Sequence, residues 1–137
     1  MNIIITSCGR RTKLIEYFKN EFKGKGNVVV TDCDELAPAL YFADKFYITS
    51  RIDNEKYIDE IIDICKKENI KGILSLIDPE LSLLSKNKER FAEIDVKLIG
   101  SDYEETELCF DKYEFYKFLK SNGFKCAETY ISLENFK

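Results

Sequence analysis

Short runs of branched apolar residues set what this chain can become. Ile3-Ile4-Ile5 and Val28-Val29-Val30 have no polar face, and Gly72-Ile73-Leu74-Ser75-Leu76-Ile77 and Val96-Lys97-Leu98-Ile99 resemble them. A strand with apolar side chains at consecutive positions must be covered on both sides, as in a parallel sheet with helices on each face. The segments between the runs have a helical period. Leu14, Ile15, Phe18 and Phe22 share one face, and Ile58, Ile61, Ile62 and Cys65 recur at i, i+3, i+4 and i+7. Gly24 and Gly26 close the first helix. Lys45-Phe46-Tyr47-Ile48 reads as a shorter strand, reached through an irregular stretch containing Pro38. Strands alternating with helices predict an α/β fold, a Rossmann-like parallel sheet flanked by helices, in the order 3-2-1-4-5.

Composition removes several classes of function. The 137 residues, 45% hydrophobic, suit one compact domain with an ample core. Histidine is absent, which excludes Ser-His-Asp and Cys-His machinery and any His-ligated metal. The five cysteines (Cys8, Cys33, Cys65, Cys109, Cys126) form no C-x-x-C pair, and their odd number argues against a disulfide scaffold. No metal site is expected. A formal charge of −4, with both signs interleaved, is the wrong balance for non-specific nucleic-acid binding. No stretch approaches the roughly 18 apolar residues of a membrane span, and the first residues lack the pattern of a signal peptide. The chain reads as soluble and cytoplasmic, with neither nucleic acid nor membrane as a partner.

The last third changes character. After Gly100-Ser101-Asp102 a short helix is expected to about Cys109. Asp111 then caps a helix from Lys112 to Ser121, ended by Asn122-Gly123. Phe124 to Ile131 alternates like a strand. A helix and a strand with nothing following read as the opening of a second unit, so residues 1–110 form the α/β domain and 111–137 a truncated extension. That last strand would be an open edge, either mobile or paired with a second copy as a homodimer.

Ligands of open α/β sheets bind beyond the carboxyl ends of the strands, where the strand order reverses. Two loops there have suitable contents. Thr6-Ser7-Cys8-Gly9-Arg10-Arg11 follows the first strand. Ser7 and Gly9 let backbone N–H groups approach an anion at a helix N-terminus, and the guanidiniums of Arg10 and Arg11 suit a carboxylate or phosphate. A tight turn with two solvated arginines accounts for the same residues. Asp78-Pro79-Glu80-Leu81 follows the strand ending at Ile77. Helix capping explains Asp78 and Glu80 completely, but with strands one and four adjacent the two loops would face one cleft. Asp32, after the second strand, reads as a polar strand exit more readily than as a ribose ligand, since the G-x-G-x-x-G fingerprint is missing. Cys8 sits near arginines that would lower its pKa, yet without histidine it reads as a small loop residue.

Thr6-Ser7-Cys8-Gly9-Arg10-Arg11, Thr31-Asp32, Ala43-Asp44-Lys45, Ile77-Asp78-Pro79-Glu80-Leu81 and Asp111-Lys112, in that order, resemble the N-terminal region of ATP-grasp ligases. The likeness is closest to carbamoyl-phosphate synthase large-subunit-like proteins and covers essentially the whole chain. Asp111-Lys112-Tyr113-Glu114-Phe115, Asn122-Gly123-Phe124 and Glu128-Thr129-Tyr130 resemble the family's link into its ATP-binding domain. The resemblance implies a pre-ATP-grasp domain that contributes substrate contacts through Ser7, Gly9, Arg10, Arg11, Asp78 and Glu80. It also implies that Lys112 meets the ATP phosphates. The complete ligase would use ATP and Mg²⁺ to make an acyl phosphate that a nucleophile then attacks. The family's glycine-rich ATP loop, adenine-lysine strand and magnesium carboxylates are not in this sequence. A downstream ATP-grasp domain or subunit is therefore the expected partner, and no cofactor is expected for this chain alone.

Two readings from other classes fit the same residues. One is a stand-alone Rossmann-like module that binds a small anion or nucleotide, and the other is a purely structural partner subunit.

Overall fold

The computed structural model describes residues 1–135. Its central feature is a five-stranded, all-parallel sheet made of β1 (Asn2–Thr6), β2 (Val28–Asp32), β3 (Lys45–Ile48), β4 (Ile70–Ser75) and β5 (Lys97–Leu98). The order is β3-β2-β1-β4-β5, as the alternating pattern predicted. β1 is the middle strand: Ile5 is in register with Val30 on one side and Leu74 on the other. The chain reverses its direction of winding between β1 and β4, which makes this pair the switch point.

Helices cover both faces, and they do so because the strands are apolar on both. Ile3, Ile5, Val28 and Val30 pack with Ile15 of α1 (Thr12–Phe22) and with Ala39 and Leu40 of a 3₁₀ turn (Pro38–Phe42). Ile4, Val29 and Ile73 point the other way, into α2 (Tyr57–Lys67), α3 (Asp78–Lys86) and α4 (Lys88–Ala92), with Ile58, Ile61, Leu84 and Phe91. Each fully buried side chain of this size contributes about 1.5–3 kcal/mol of transfer free energy. Single-residue alternation of face thus assigns Ile3 and Ile5 to one core and Ile4 to the other.

Element ends depart from the sequence reading in small ways with clear causes. The α1 terminus turns at Lys23, which is left-handed at φ +46°, before Gly24 at φ +76°. Gly26 serves a different purpose from helix closure: a Cβ there would lie 1.8 Å from the Met1 carbonyl oxygen. α3 starts at Asp78, so the cap position belongs to Ile77 and the Asp78 side chain makes no capping hydrogen bond. The expectation that Asp78 caps this helix is corrected accordingly.

The chain divides into two compact units, Met1–Gly100 and a second from Ser101 onward. The second contains α5 (Tyr103–Phe110) and α6 (Lys112–Ser121). Asp111 caps α6 as expected, its Oδ1 accepting the Tyr113 and Glu114 N–H groups at 2.9 and 3.0 Å. The expected strand from Phe124 to Ile131 is not formed: residues 124–130 have no regular structure. Glu128 instead accepts hydrogen bonds from Tyr116 and Lys120 of α6, and among the described residues of this unit no strand offers a backbone ladder. The open edge on which pairing of two copies was expected is therefore absent as β-structure. Among the described residues no helix is long and apolar enough to cross a membrane.

Candidate functional site

The loop from β1 to α1 begins with a constrained backbone. Ser7 is left-handed at φ +46° and Gly9 at φ +51°, so the chain folds back within three residues. That conformation is free for glycine but costs a serine about 1–2 kcal/mol, and contacts around it must hold it. The Cys8 N–H donates to the Thr31 carbonyl at 3.1 Å. The Gly9 N–H donates to Asp32 Oδ2 at 2.8 Å, and Asp32 Oδ1 accepts from the Asp34 N–H at 3.0 Å. Asp32 is thus a strand exit whose two oxygens organise neighbouring loops, and the Gly9 donor is already engaged.

The two arginines divide. Arg10 is exposed, and its side chain bonds to none of the described residues. Arg11 spans the switch point: Nη1 donates to the Ser7 carbonyl at 3.3 Å and Nη2 to the Leu76 carbonyl at 3.1 Å. One guanidinium thereby ties the β1 loop to the β4 loop. The two loops follow the carboxyl ends of the neighbouring parallel strands β1 and β4.

Asp78 and Glu80 also divide. Asp78 is exposed at the start of α3. Glu80, expected to line the opening, is 0% exposed and faces the core. Its Oε1 accepts the Tyr57 hydroxyl, and its Oε2 accepts Ser75 Oγ at 2.5 Å. Two hydroxyl donors satisfy a carboxylate that burial alone would not allow. Glu80 is corrected from ligand contact to internal support. Burial, and then the Glu80 charge, push the Tyr57 hydroxyl far above its ordinary pKa.

Beneath the loops lies a row of hydroxyls that the sequence reading did not assemble. Thr6 is in register with Ser75, and Thr6 and Thr31 follow the paired residues Ile5 and Val30. All three are buried on the α2 face. Thr31 Oγ1 has no hydrogen-bond partner among the described residues. The signal for this row was a hydroxyl residue directly after two of the apolar runs (Thr6, Thr31) and one inside a third (Ser75). Tyr57 carried no motif at all.

Cys8 is fully buried with Sγ 3.9 Å from Asp32 Oδ2. Burial first, and then Asp32, push its thiol up to about 12, outweighing the lowering by Arg11. Its burial fits a small loop residue. Lys112, in the second unit, donates from Nζ to the Cys109 carbonyl at 2.8 Å. A lysine in the first turn of α6 is thereby used at the carboxyl end of α5, where its charge suits the dipole. A separate groove of about 320 Å³ lies at the amino ends of β4 and β5, lined by Lys71, Lys88, Asp95 and Lys97 among others. Lys71 there is paired with Asp95 at 2.6 Å. Of the candidate site residues read from the sequence, none lines it.

Against this geometry, a model of the PylC-like N-terminal domain matches residues 3–99. The chain belongs to the PylC-like N-terminal domain family. It is a pre-ATP-grasp domain of the ATP-grasp type. Solved structures agree on the fold. N5-carboxyaminoimidazole ribonucleotide synthetase from Thermotoga maritima is 23% identical with a TM-score of 0.66, over 97% of this chain and 34% of that one. L-amino acid ligase from Bacillus licheniformis is 16% identical with a TM-score of 0.68, over 99% and 34%. N5-carboxyaminoimidazole synthetase from Staphylococcus aureus, complexed with ADP, is 22% identical with a TM-score of 0.64, over 93% and 31%. The PylC-like chain thus spans about a third of the length of these proteins. A comparison with curated proteins found no match.

Proposed function

We propose that this PylC-like domain is the substrate-side N-terminal domain of an ATP-dependent carboxylate ligase, acting together with an ATP-grasp region. In this reading the switch-point loops bind a small carboxylate or phosphate. The observation that carries it is Arg11, which joins the Ser7 and Leu76 carbonyls across the β1–β4 boundary. It puts the exposed Arg10, the positive end of the eleven-residue α1 and the exposed Asp78 at one edge of the sheet. Arg10 supplies the charge-assisted contact, and the α1 dipole adds to it. Arg11 sets the spacing of the two loops. Asp32 orients the turn through the Gly9 N–H rather than meeting the ligand.

ATP, when bound, supplies the phosphoryl group that activates the carboxylate. Among the described residues no three Cys, Asp or Glu side chains are grouped as a protein-only metal site. The cation and the triphosphate belong to the ATP-grasp region, which Lys112 would serve from the second unit. The finer likeness, to carbamoyl-phosphate synthase large subunits, rests on the order of the Thr6–Arg11, Ile77–Leu81 and Asp111–Lys112 segments.

Steady-state kinetics of an enzyme carrying this domain joined to an ATP-grasp region test the assignment. Arg10→Ala is expected to raise KM for the carboxylate about tenfold, the scale of one charge-assisted contact, with KM for ATP unchanged. Lys112→Ala is expected to do the reverse. An Arg10→Ala enzyme with unaltered carboxylate kinetics contradicts the assignment of the crevice.

A further inference from the structure

We propose that Asp32 is a specificity-determining residue of the switch-point site, closing it to diphosphates and leaving it open to a ligand with a single anionic group. The proposal rests on the reading of that crevice as an anion site and narrows its ligand class. In dinucleotide-binding sheets the first turn offers backbone N–H groups to a diphosphate, and an acid after the second strand takes a ribose hydroxyl. This chain has a glycine in the turn and an acid at the end of β2, but it joins the two to each other. The Gly9 N–H donates to Asp32 Oδ2 at 2.8 Å. A phosphate oxygen reaching for that N–H would have to displace the carboxylate or lie against its charge.

Other donors of the turn are spent internally as well. The Cys8 N–H donates to the Thr31 carbonyl and the Arg11 N–H to the Cys8 carbonyl, both at 3.1 Å. The Thr12 N–H donates to the Arg10 carbonyl at 3.0 Å. Asp32 also organises the chain that follows β2. Its Oδ1 accepts the Asp34 N–H at 3.0 Å, and Asp34 Oδ1 accepts the Leu36 N–H at 2.9 Å. The segment then returns to the turn, where the Ala39 N–H donates to the Gly9 carbonyl at 3.1 Å, with Ala37, Ala39 and Leu40 buried. What the turn still presents to an anion is the exposed Arg10 side chain. One guanidinium matches one carboxylate or one phosphate group. A second phosphate group meets N–H groups already engaged and a fixed negative charge, whose repulsion grows with the charge of the ligand.

Amide-resolved titration of the isotopically labelled full chain, at constant ionic strength, tests this with inorganic phosphate, pyrophosphate and magnesium-free ADP as probes. The reporters are the Gly9, Arg10 and Asp34 amides. In the wild-type chain pyrophosphate and ADP are expected to bind within about twofold of phosphate. Asp32→Asn keeps the size of the side chain and one acceptor oxygen but removes the charge. It is expected to raise the ratio of pyrophosphate to phosphate affinity about tenfold, the scale of one charge-assisted contact. A purely structural role for Asp32 would weaken both anions alike and leave the ratio unmoved. An Asp32→Asn chain with the wild-type ratio overturns the proposal. So does a wild-type chain that binds pyrophosphate or ADP about tenfold tighter than phosphate at Gly9, a comparison that needs no variant and decides the matter should Asp32→Asn not fold. A wild-type chain that ignores phosphate counts against the anion reading instead. The role of Asp32 is then decided by whether Asp32→Asn gains pyrophosphate binding at Gly9.

Discussion

Glu80 and Asp78 lie two positions apart in one acidic turn, yet their environments are opposite. Glu80 shares a helix face with Leu84 at i+4 and is sealed with it, whereas Asp78 faces water. Glu80→Ala would strand the buried Tyr57 hydroxyl and leave Ser75 Oγ only the Ile77 carbonyl at 3.4 Å, a loss of about 3 kcal/mol. Asp78→Ala should change stability by only about 0.5 kcal/mol, the scale of one first-turn charge. Thr31→Val should do the opposite of Glu80→Ala and stabilise by about 1 kcal/mol, because it removes a buried hydroxyl that has no partner. Urea unfolding of the three variants orders them: Glu80→Ala lowest, Asp78→Ala near the parent, Thr31→Val above it.

A second buried carboxylate sets a pH dependence. Glu68 accepts Lys45 Nζ at 2.6 Å and the Tyr47 hydroxyl, and these bonds, Lys45 first, hold its pKa below the usual carboxylate value. A group with a lowered folded pKa adds stability that is complete above the unfolded value. That stability is lost as pH falls through the folded one. Glu68→Gln should therefore flatten the fall in melting temperature below about pH 5. Parallel acid profiles for the two proteins would show that the pair adds nothing.

Among elements, the signals that worked were those set by the local chain. Ile3-Ile4-Ile5 and Val28-Val29-Val30 could be strands of only one kind, covered on both faces, and Asp111 before an amphipathic stretch is a cap wherever it occurs. What failed depended on partners. Phe124–Ile131 alternates like a strand, but a strand exists only with a neighbour's backbone to pair with, and Glu128 turns to α6 instead. The inward turn of Glu80 was equally hidden, since Leu81, Leu83 and Leu84 give α3 apolar residues on several faces and only the sheet selects one. The switch-point loops could be read from chain order. Which arginine spans them could not, because Arg10 and Arg11 are chemically alike. α6 gives an element-level test: Asp111→Ala removes the acceptor of two N–H groups and should cost that helix about 1 kcal/mol. Faster amide exchange at Tyr113 and Glu114, with the sheet unaffected, is the expected sign.

For the whole molecule, the 3-2-1-4-5 sheet puts its switch point between β1 and β4, where the proposed anion site lies. The net charge of −4 makes anion binding a local property of the loops rather than a consequence of overall charge. Two places could attract an anion: the switch point with Arg10, and the lysine-lined groove at the opposite ends of β4 and β5. They lie at opposite ends of β4, so chemical shifts separate them cleanly. The most direct measurement is a titration of the isotopically labelled chain with inorganic phosphate and with acetate, followed amide by amide. Saturating shifts confined to Gly9–Thr12 and Leu76–Asp78, and abolished in Arg10→Ala, are the predicted result. Saturation around Lys71 and Lys97 instead, or shifts that persist unchanged in Arg10→Ala, would contradict it.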